Sequence, residues 1–149
     1  MGRLIFPPSG TIYLDAQIPI YTTNKHPIYA PLLRPLWEAV KARTIEVVSS
    51  ELTLMETIIT PIRNNDLMAQ NKREALWQQA NTRLLPITED ILREAARLRA
   101  TIPGLKTPDA IHAATALRYG CALFVSNDTG FRRVPNLPLT LLDDAIAAP

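Results

Sequence analysis

The chain is poor in the residues that make thiol chemistry and soft metal sites. It has one cysteine, Cys121, and two histidines, His26 and His112, in 149 residues. A single thiol excludes an internal disulfide and a thiolate zinc site, and two isolated imidazoles do not make a His-rich metal site. Long apolar runs are missing too. Asp15, Arg34 and Glu38 interrupt the early candidates well before the roughly 20 residues that a membrane span needs. The opening stretch MGRLIFPPSGT holds one arginine and a very short apolar patch, too little for a secretory leader. There is no large excess of either charge: the formal net charge is +2, which permits an anionic partner without demanding one. Internal repeats, low-complexity tracts and linker-like stretches are absent. A reducing, cytoplasmic setting fits these absences.

The rest is ordinary globular material, 47% hydrophobic and 20% charged, apolar enough for a core and unlike a disordered chain. The length reads as one domain over 1–149, with 1–10 as an N-terminal extension and room for a single cleft. Short apolar runs alternate with helical periodicity. TIYL (11–14) reads as a first strand ending at Asp15, and Pro27, Pro31 and Pro35 break up the connection after it. PLLRPLWEAVKAR (31–43) has helical spacing, and TIEVVS (44–49) is a β-branched strand. Ser50 is placed to cap the next helix, with Leu54, Ile58 and Ile62 as its stripe. Residues 66–81 read as another helix, 83–87 as a strand. Thr88 caps a helix whose Ile91, Ala95 and Leu98 face inward. Thr107 is expected to cap the following helix, with Pro108 in its first position and Gly120 as its stop. CALFVS (121–126) and LTLL (139–142) complete the strands. Strands separated by helices imply parallel pairing through right-handed crossovers, hence an α/β three-layer helix–sheet–helix sandwich with a central parallel sheet.

In such sheets the working cleft opens beyond the carboxyl ends of the strands. Asp15 closes the first strand, Asp128 leaves the most apolar one, and Glu56 lies on the helix that leaves the second. These three share the carboxyl side. Asp109 joins them if the TIPGLK connection (101–106) between two helices returns the chain. Taken singly, each has an ordinary reading: Asp109 complements a helix dipole, Asp128 is a turn residue, Glu56 a surface acid. Together they change the electrostatics. At separations near 5 Å and an effective dielectric of about 20, each unit pair repels by roughly 3 kcal/mol. Such a group either takes up protons or holds a cation, and an oxygen-only donor set selects Mg²⁺ or Mn²⁺ over zinc. Glu51, Asp143 and Asp144 read as dipole-complementing or solvated acids, and His112 as a packed, hydrogen-bonded histidine.

The blocks YLDAQIPIY, SSELTLMETI, KTPDAIHAATAL and FVSNDTGFRRVPNLPL, in this order over residues 11–143, resemble the PIN-domain family and its VapC-like toxins. The resemblance implies a metal-dependent endoribonuclease of a toxin–antitoxin pair, with the acidic quartet mapping onto Asp15, Glu56, Asp109 and Asp128. It implies Mg²⁺ or Mn²⁺ as cofactor, RNA as substrate, products with a 5′-phosphate and a 3′-hydroxyl, a homodimer and a cognate antitoxin. A small hydroxyl or amide residue beside the last acid is also implied; Ser126, Asn127 and Thr129 are the candidates. The chain departs from the family at Ala16 and Gln17, where Thr or Ser and then Asn are usual. Groups around metal ligands tune affinity and orientation, so weaker metal binding or a lower rate is expected. A catalytically weak or inactive binding module of the same fold is therefore the alternative. A phosphoacceptor domain would need a second acid by the first strand and a late lysine, and a two-histidine ribonuclease would need His26 to meet His112. An acid-lined pocket needs cations around it to receive RNA. Arg132 and Arg133 are the candidates for phosphate contacts, with Arg93, Arg97 and Lys106 behind them. Trp37, Trp77, Leu76 and Met68 read as core residues or, alternatively, as part of a partner surface.

Overall fold

A computed structural model of the protein describes residues 2–149. Five parallel strands form one sheet in the order β3-β2-β1-β4-β5: β1 Gly10–Leu14, β2 Ile45–Ser50, β3 Thr82–Leu85, β4 Leu123–Ser126 and β5 Leu139–Leu141. Helices cover both faces, as the alternation of strand and helix requires. The period of two along each strand divides the core. Ile12, Leu14, Val47 and Val125 face a cluster with Leu33, Leu36 and Val40 of helix α2 (Tyr29–Lys41). Tyr13, Val48 and Phe124 face the other cluster, built with helices α5 (Glu89–Thr101) and α6 (Thr107–Tyr119). Leu4 is buried in the α2-side cluster beside Leu142 and Ala145 of the last helix, α7 (Leu142–Ala147). The stretch before β1 thus contributes to the core. No helix among the described residues is long and apolar enough to cross a membrane.

The chain runs β1 to β2 to β3 on one side, then crosses back to place β4 on the other side of β1. The strand order therefore reverses between β1 and β4, and a crevice opens at their carboxyl ends. The return from β3 uses two helices, α5 and α6, which pack together. Their short connection contains Gly104 at a left-handed φ of 77°. Arg99 pins it, donating from Nε to the Leu105 carbonyl at 3.0 Å and from Nη1 to the Thr107 hydroxyl at 2.8 Å. Arg133 donates to the Pro103 carbonyl in the same turn.

Several expectations need correction. Lys106, not Thr107, is the N-cap of α6, because the Thr107 hydroxyl is engaged by Arg99; Pro108 falls one place later than expected. The helix expected over 66–81 is α4, Leu67–Leu76, and stops where Trp77 caps it. Helix α3 (Glu51–Arg63) buries Thr53, Thr57 and Pro61 rather than Leu54, Ile58 and Ile62. Its inner face is polar for a reason: the Ser49 hydroxyl donates to the Leu14 carbonyl at 2.6 Å and lies 2.6 Å from the Thr53 hydroxyl. Ile62 is left 53% exposed. Periodicity alone missed three elements: helix α1 (Gln17–Thr23), a 3-10 turn at Thr129–Arg133 and α7. Leu76 is buried and both tryptophans pack partly buried against the α2-side core, whereas Met68 is 70% exposed.

Candidate active site

Asp15 stands one residue beyond β1, where the parallel register sets it opposite Ser126 at the end of β4. The period of two turns both toward the α6 face, behind Tyr13 and Phe124. Asp15 is only 6% exposed. Its Oδ1 accepts the Gln17 N–H at 3.1 Å, and its Oδ2 accepts the Ser126 hydroxyl in a short hydrogen bond. Ser126 Oγ in turn accepts the Asp128 N–H at 3.0 Å, and Asp128 Oδ1 accepts the Gly130 N–H at 2.8 Å. One hydroxyl thus ties the first acid to the backbone of the last. Asn127 is spent elsewhere: it donates to Tyr29 and accepts the Asp143 N–H. Of the three small residues named from the sequence, Ser126 bonds both Asp15 and the Asp128 N–H, while Asn127 and Thr129 line the cavity.

Glu56 arrives from α3 and is held from below. His112 is 2% exposed; its Nε2 lies 2.6 Å from Glu56 Oε1 and its Nδ1 lies 2.6 Å from the Tyr13 hydroxyl. The reading of His112 as packed and hydrogen-bonded holds, and its second partner is an acid of the quartet. Tyr13 is fixed by stacking on Phe124, with ring centroids 5.0 Å apart. Tyr13→Phe keeps that stacking and leaves His112 Nδ1 unpartnered in the interior. The variant should lose about 1–3 kcal/mol of stability, the cost of a buried unsatisfied polar group, in urea unfolding; an unchanged midpoint would show that this bond does not support the site.

Asp109, in the first turn of α6, is delivered by the pinned α5–α6 connection. Asp15, Glu56, Asp109 and Asp128 all line one open cavity of about 420 Å³, with His112, Tyr21, Ala16 and Gln17 among its walls. Burial, opposed by the hydrogen bonds from Ser126 and Gln17 and by His112, drives the Asp15 carboxyl from 3.8 up to about 6, and the Asp128 charge adds to the rise. Asp109 is also raised, first by burial and then by Asp128, with Glu56 adding to it. The acids feel one another, as their positions along the chain had implied.

They do not close into a ring. Among the described residues no three acid, histidine or cysteine side chains form a group placed to hold a metal ion. The donor set nevertheless fits a hard divalent cation: four carboxylates from four elements line one cavity, and two of them are raised by burial first and by a neighbouring acid's charge in addition. A cation would offset that repulsion.

Arg132 and Arg133 do not line this cavity. Arg132 is paired with Asp144 at 2.8 Å, and Arg133 fastens the α5–α6 turn. Arg93 and Arg97 sit in exposed pairs with acids of their own helix. Asp143 and Asp144 are exposed, as expected, and Asp143 accepts the Tyr29 hydroxyl at 2.6 Å. Tyr13 was not read from the sequence as a site residue. The available signal was the period of two, which places Tyr13 on the Asp15 face.

A family model described as PIN domain matches residues 12–137. Solved structures of similar fold include VapBC2 from Rickettsia felis bound to a DNA fragment from its promoter. It is 20% identical with a TM-score of 0.71, over 88% of this chain and 98% of that one. Mycobacterium tuberculosis VapC20, described as a Sarcin-Ricin loop cleaving toxin, is 19% identical with a TM-score of 0.66, over 83% and 95%. VapBC-1 from nontypeable Haemophilus influenzae is 20% identical with a TM-score of 0.64, over 89% and 98%. No curated protein sequence matches the chain.

Proposed function

From the premise that the chain belongs to the PIN-domain family, we propose that it is a divalent-metal-dependent endoribonuclease and the toxin of a toxin–antitoxin pair. The observation that carries this reading is the gathering of Asp15, Glu56, Asp109 and Asp128, from four separate elements, around one cavity at the reversal of strand order. The similar folds of a protein described as a toxin–antitoxin complex, from Klebsiella pneumoniae, and of VapC20, described as a Sarcin-Ricin loop cleaving toxin, support it.

The four carboxylates would hold Mg²⁺ or Mn²⁺. Bound there, a divalent ion supplies Lewis-acid activation of water and neutralises charge on the phosphoryl oxygens. The protein's own part is orientation. Ser126 and the Gln17 N–H hold Asp15, Tyr13 through His112 holds Glu56, and the first turn of α6 carries Asp109. In the hydrolysis, the water oxygen bonds to phosphorus as the P–O3′ bond breaks. A carboxylate of the cavity takes the water proton, and the 3′ oxygen takes up a proton from solvent water as it leaves as a hydroxyl. Products carry a 5′-phosphate and a 3′-hydroxyl. Ala16 brings only a methyl group to the cavity wall, which limits the rate or the metal affinity. The partners in this reading are an antitoxin protein and a second copy of the chain, in the cytoplasm.

The test is cleavage of RNA by the purified protein with Mn²⁺ or Mg²⁺, with EDTA, and by Asp109→Asn. Cleavage is expected only with metal and only with Asp109 intact. Activity that survives both EDTA and Asp109→Asn overturns the mechanism; no cleavage of any RNA, with no metal bound, replaces it with the non-catalytic binding module.

A further inference from the structure

An acidic cavity repels the phosphates on either side of the linkage it cleaves, so a longer RNA needs cations beside it. The two arginines nominated from the sequence are committed to Asp144 and to the α5–α6 turn. Uncommitted cations lie elsewhere. A second cavity, of about 480 Å³, is lined by Lys25, His26, Arg34, Trp37 and Lys41, and no carboxylate lines it. Among the described residues, Lys25, Arg34 and Lys41 make no ion pair. All three are exposed. Glu38, on the same helix, does not line the cavity and pairs with none of them.

The local sequence explains the arrangement. Steps of three and four residues place Arg34, Trp37 and Lys41 on one face of α2, beside the buried Leu33, Leu36 and Val40, against whose cluster Trp37 partly packs. Over about 1.5 Å per residue, Arg34 and Lys41 are roughly 10 Å apart along the axis. The turn after α1 brings Lys25 and His26 to the same cavity. Aromatic side chains link this cavity to the acidic one: Tyr21 lines the acidic cavity and His26 the basic one, with ring centroids 5.1 Å apart. Tyr29 packs on both, at 4.5 Å.

We propose that this basic groove binds the single-stranded RNA that flanks the scissile linkage, with Lys25, Arg34 and Lys41 meeting phosphates and Trp37 serving as a platform for a base. The inference rests on the ribonuclease reading for the identity of its ligand. Cations interleaved with aromatic side chains are what a single strand requires. The Tyr21–His26 contact sets this groove next to the cavity where a phosphodiester must sit, which favours RNA over an acidic peptide, since a peptide has no need of that neighbour.

The experiment compares the full-length protein with K25A/R34A/K41A, whose three positions are exposed, by fluorescence anisotropy of a labelled single-stranded RNA in EDTA across a KCl series. Each phosphate contact on a single strand contributes about 0.7 to the slope of log K against log salt, so three lost contacts flatten it by about 2 and weaken binding about 50-fold near 0.15 M salt. Unchanged affinity and slope overturn the proposal. So does an oligoglutamate peptide whose binding is lost in the triple variant while RNA binding persists, since the groove is then a protein site. The cleavage assay is independent. A groove effect without any cleavage leaves single-stranded RNA binding by the groove standing and removes the nuclease reading; cleavage without a groove effect removes the groove and keeps the nuclease.

Discussion

Asp15→Asn is expected to abolish RNA cleavage and, in the absence of metal, to make the protein more stable. The two effects share one cause. Asp15 is buried, and its carboxyl titrates at about 6 in the fold against an ordinary value of 3.8. Ionising it in place therefore costs about 3 kcal/mol at pH above 7, taking 1.36 kcal/mol per pKa unit. The folded state binds the extra proton, so this penalty is absent at pH below 3.8, grows as pH rises between the two values, and is complete above about 6. Asparagine has nearly the same shape, can still accept the Gln17 N–H, and carries no charge. At pH 8 with EDTA, Asp15→Asn should gain about 1–3 kcal/mol in urea unfolding, and the gain should fade as the pH is lowered toward 4. Cleavage should fall by at least about 100-fold, since groups that merely support a metal ligand already cost about 10–100-fold when lost. A variant that is destabilised at pH 8 would mean that the Ser126 hydrogen bond outweighs the buried charge. One that still cleaves would remove Asp15 from the chemistry.

Mn²⁺ should raise the melting temperature, and by more at pH 8 than at pH 5.5. An ion that binds only the folded state at about 100 times its Kd adds about 2.7 kcal/mol, which for a domain of this size is about 5–10 °C. The pH dependence has the same origin as the Asp15 effect. Below about 6 a proton occupies Asp15, and Asp109 is raised as well, so the ion must displace protons to enter. Above that range the carboxylates are ionised and repel one another, and the cation removes the repulsion. Differential scanning fluorimetry with and without Mn²⁺ at the two pH values, on the native chain and on D15N/D128N, separates a site effect from a general one. Equal shifts in both proteins, or no shift in either, would remove the divalent ion from this cavity.

How legible the site was depended on the kind of information each residue carries. Asp15 and Asp128 follow apolar strands, and the carboxyl-edge rule placed both without a structure. Asp109 was less legible, because a helix that feeds a strand normally starts at the opposite edge. Its place depends on the α5–α6 connection, which Arg99 and Arg133 fasten from positions no local pattern links. The support of Glu56 by Tyr13 and His112 spans 99 and 56 residues of chain separation. The fold shows the same division. Apolar strands and capped helices such as α5 were readable, because capping and periodicity act within a few residues. Helix α3 was out of phase, because its buried face is chosen by hydroxyl bonding to Ser49 and the Leu14 carbonyl, not by its own hydrophobicity.

By itself the sequence determined that this is an α/β chain with parallel strands, and that its acids stand where strands and helices meet. Those features come from short-range periodicity and from the crossovers that parallel pairing demands. Only the tertiary structure decided which charges are free. Arg132 and Arg133 sit beside Asp128 in the chain yet are tied to Asp144 and Pro103, while Lys25, Arg34 and Lys41 make no ion pair among the described residues and lie along another groove. Charge pairing acts over a few ångströms of space, whatever the distance along the chain, so no local motif could report it.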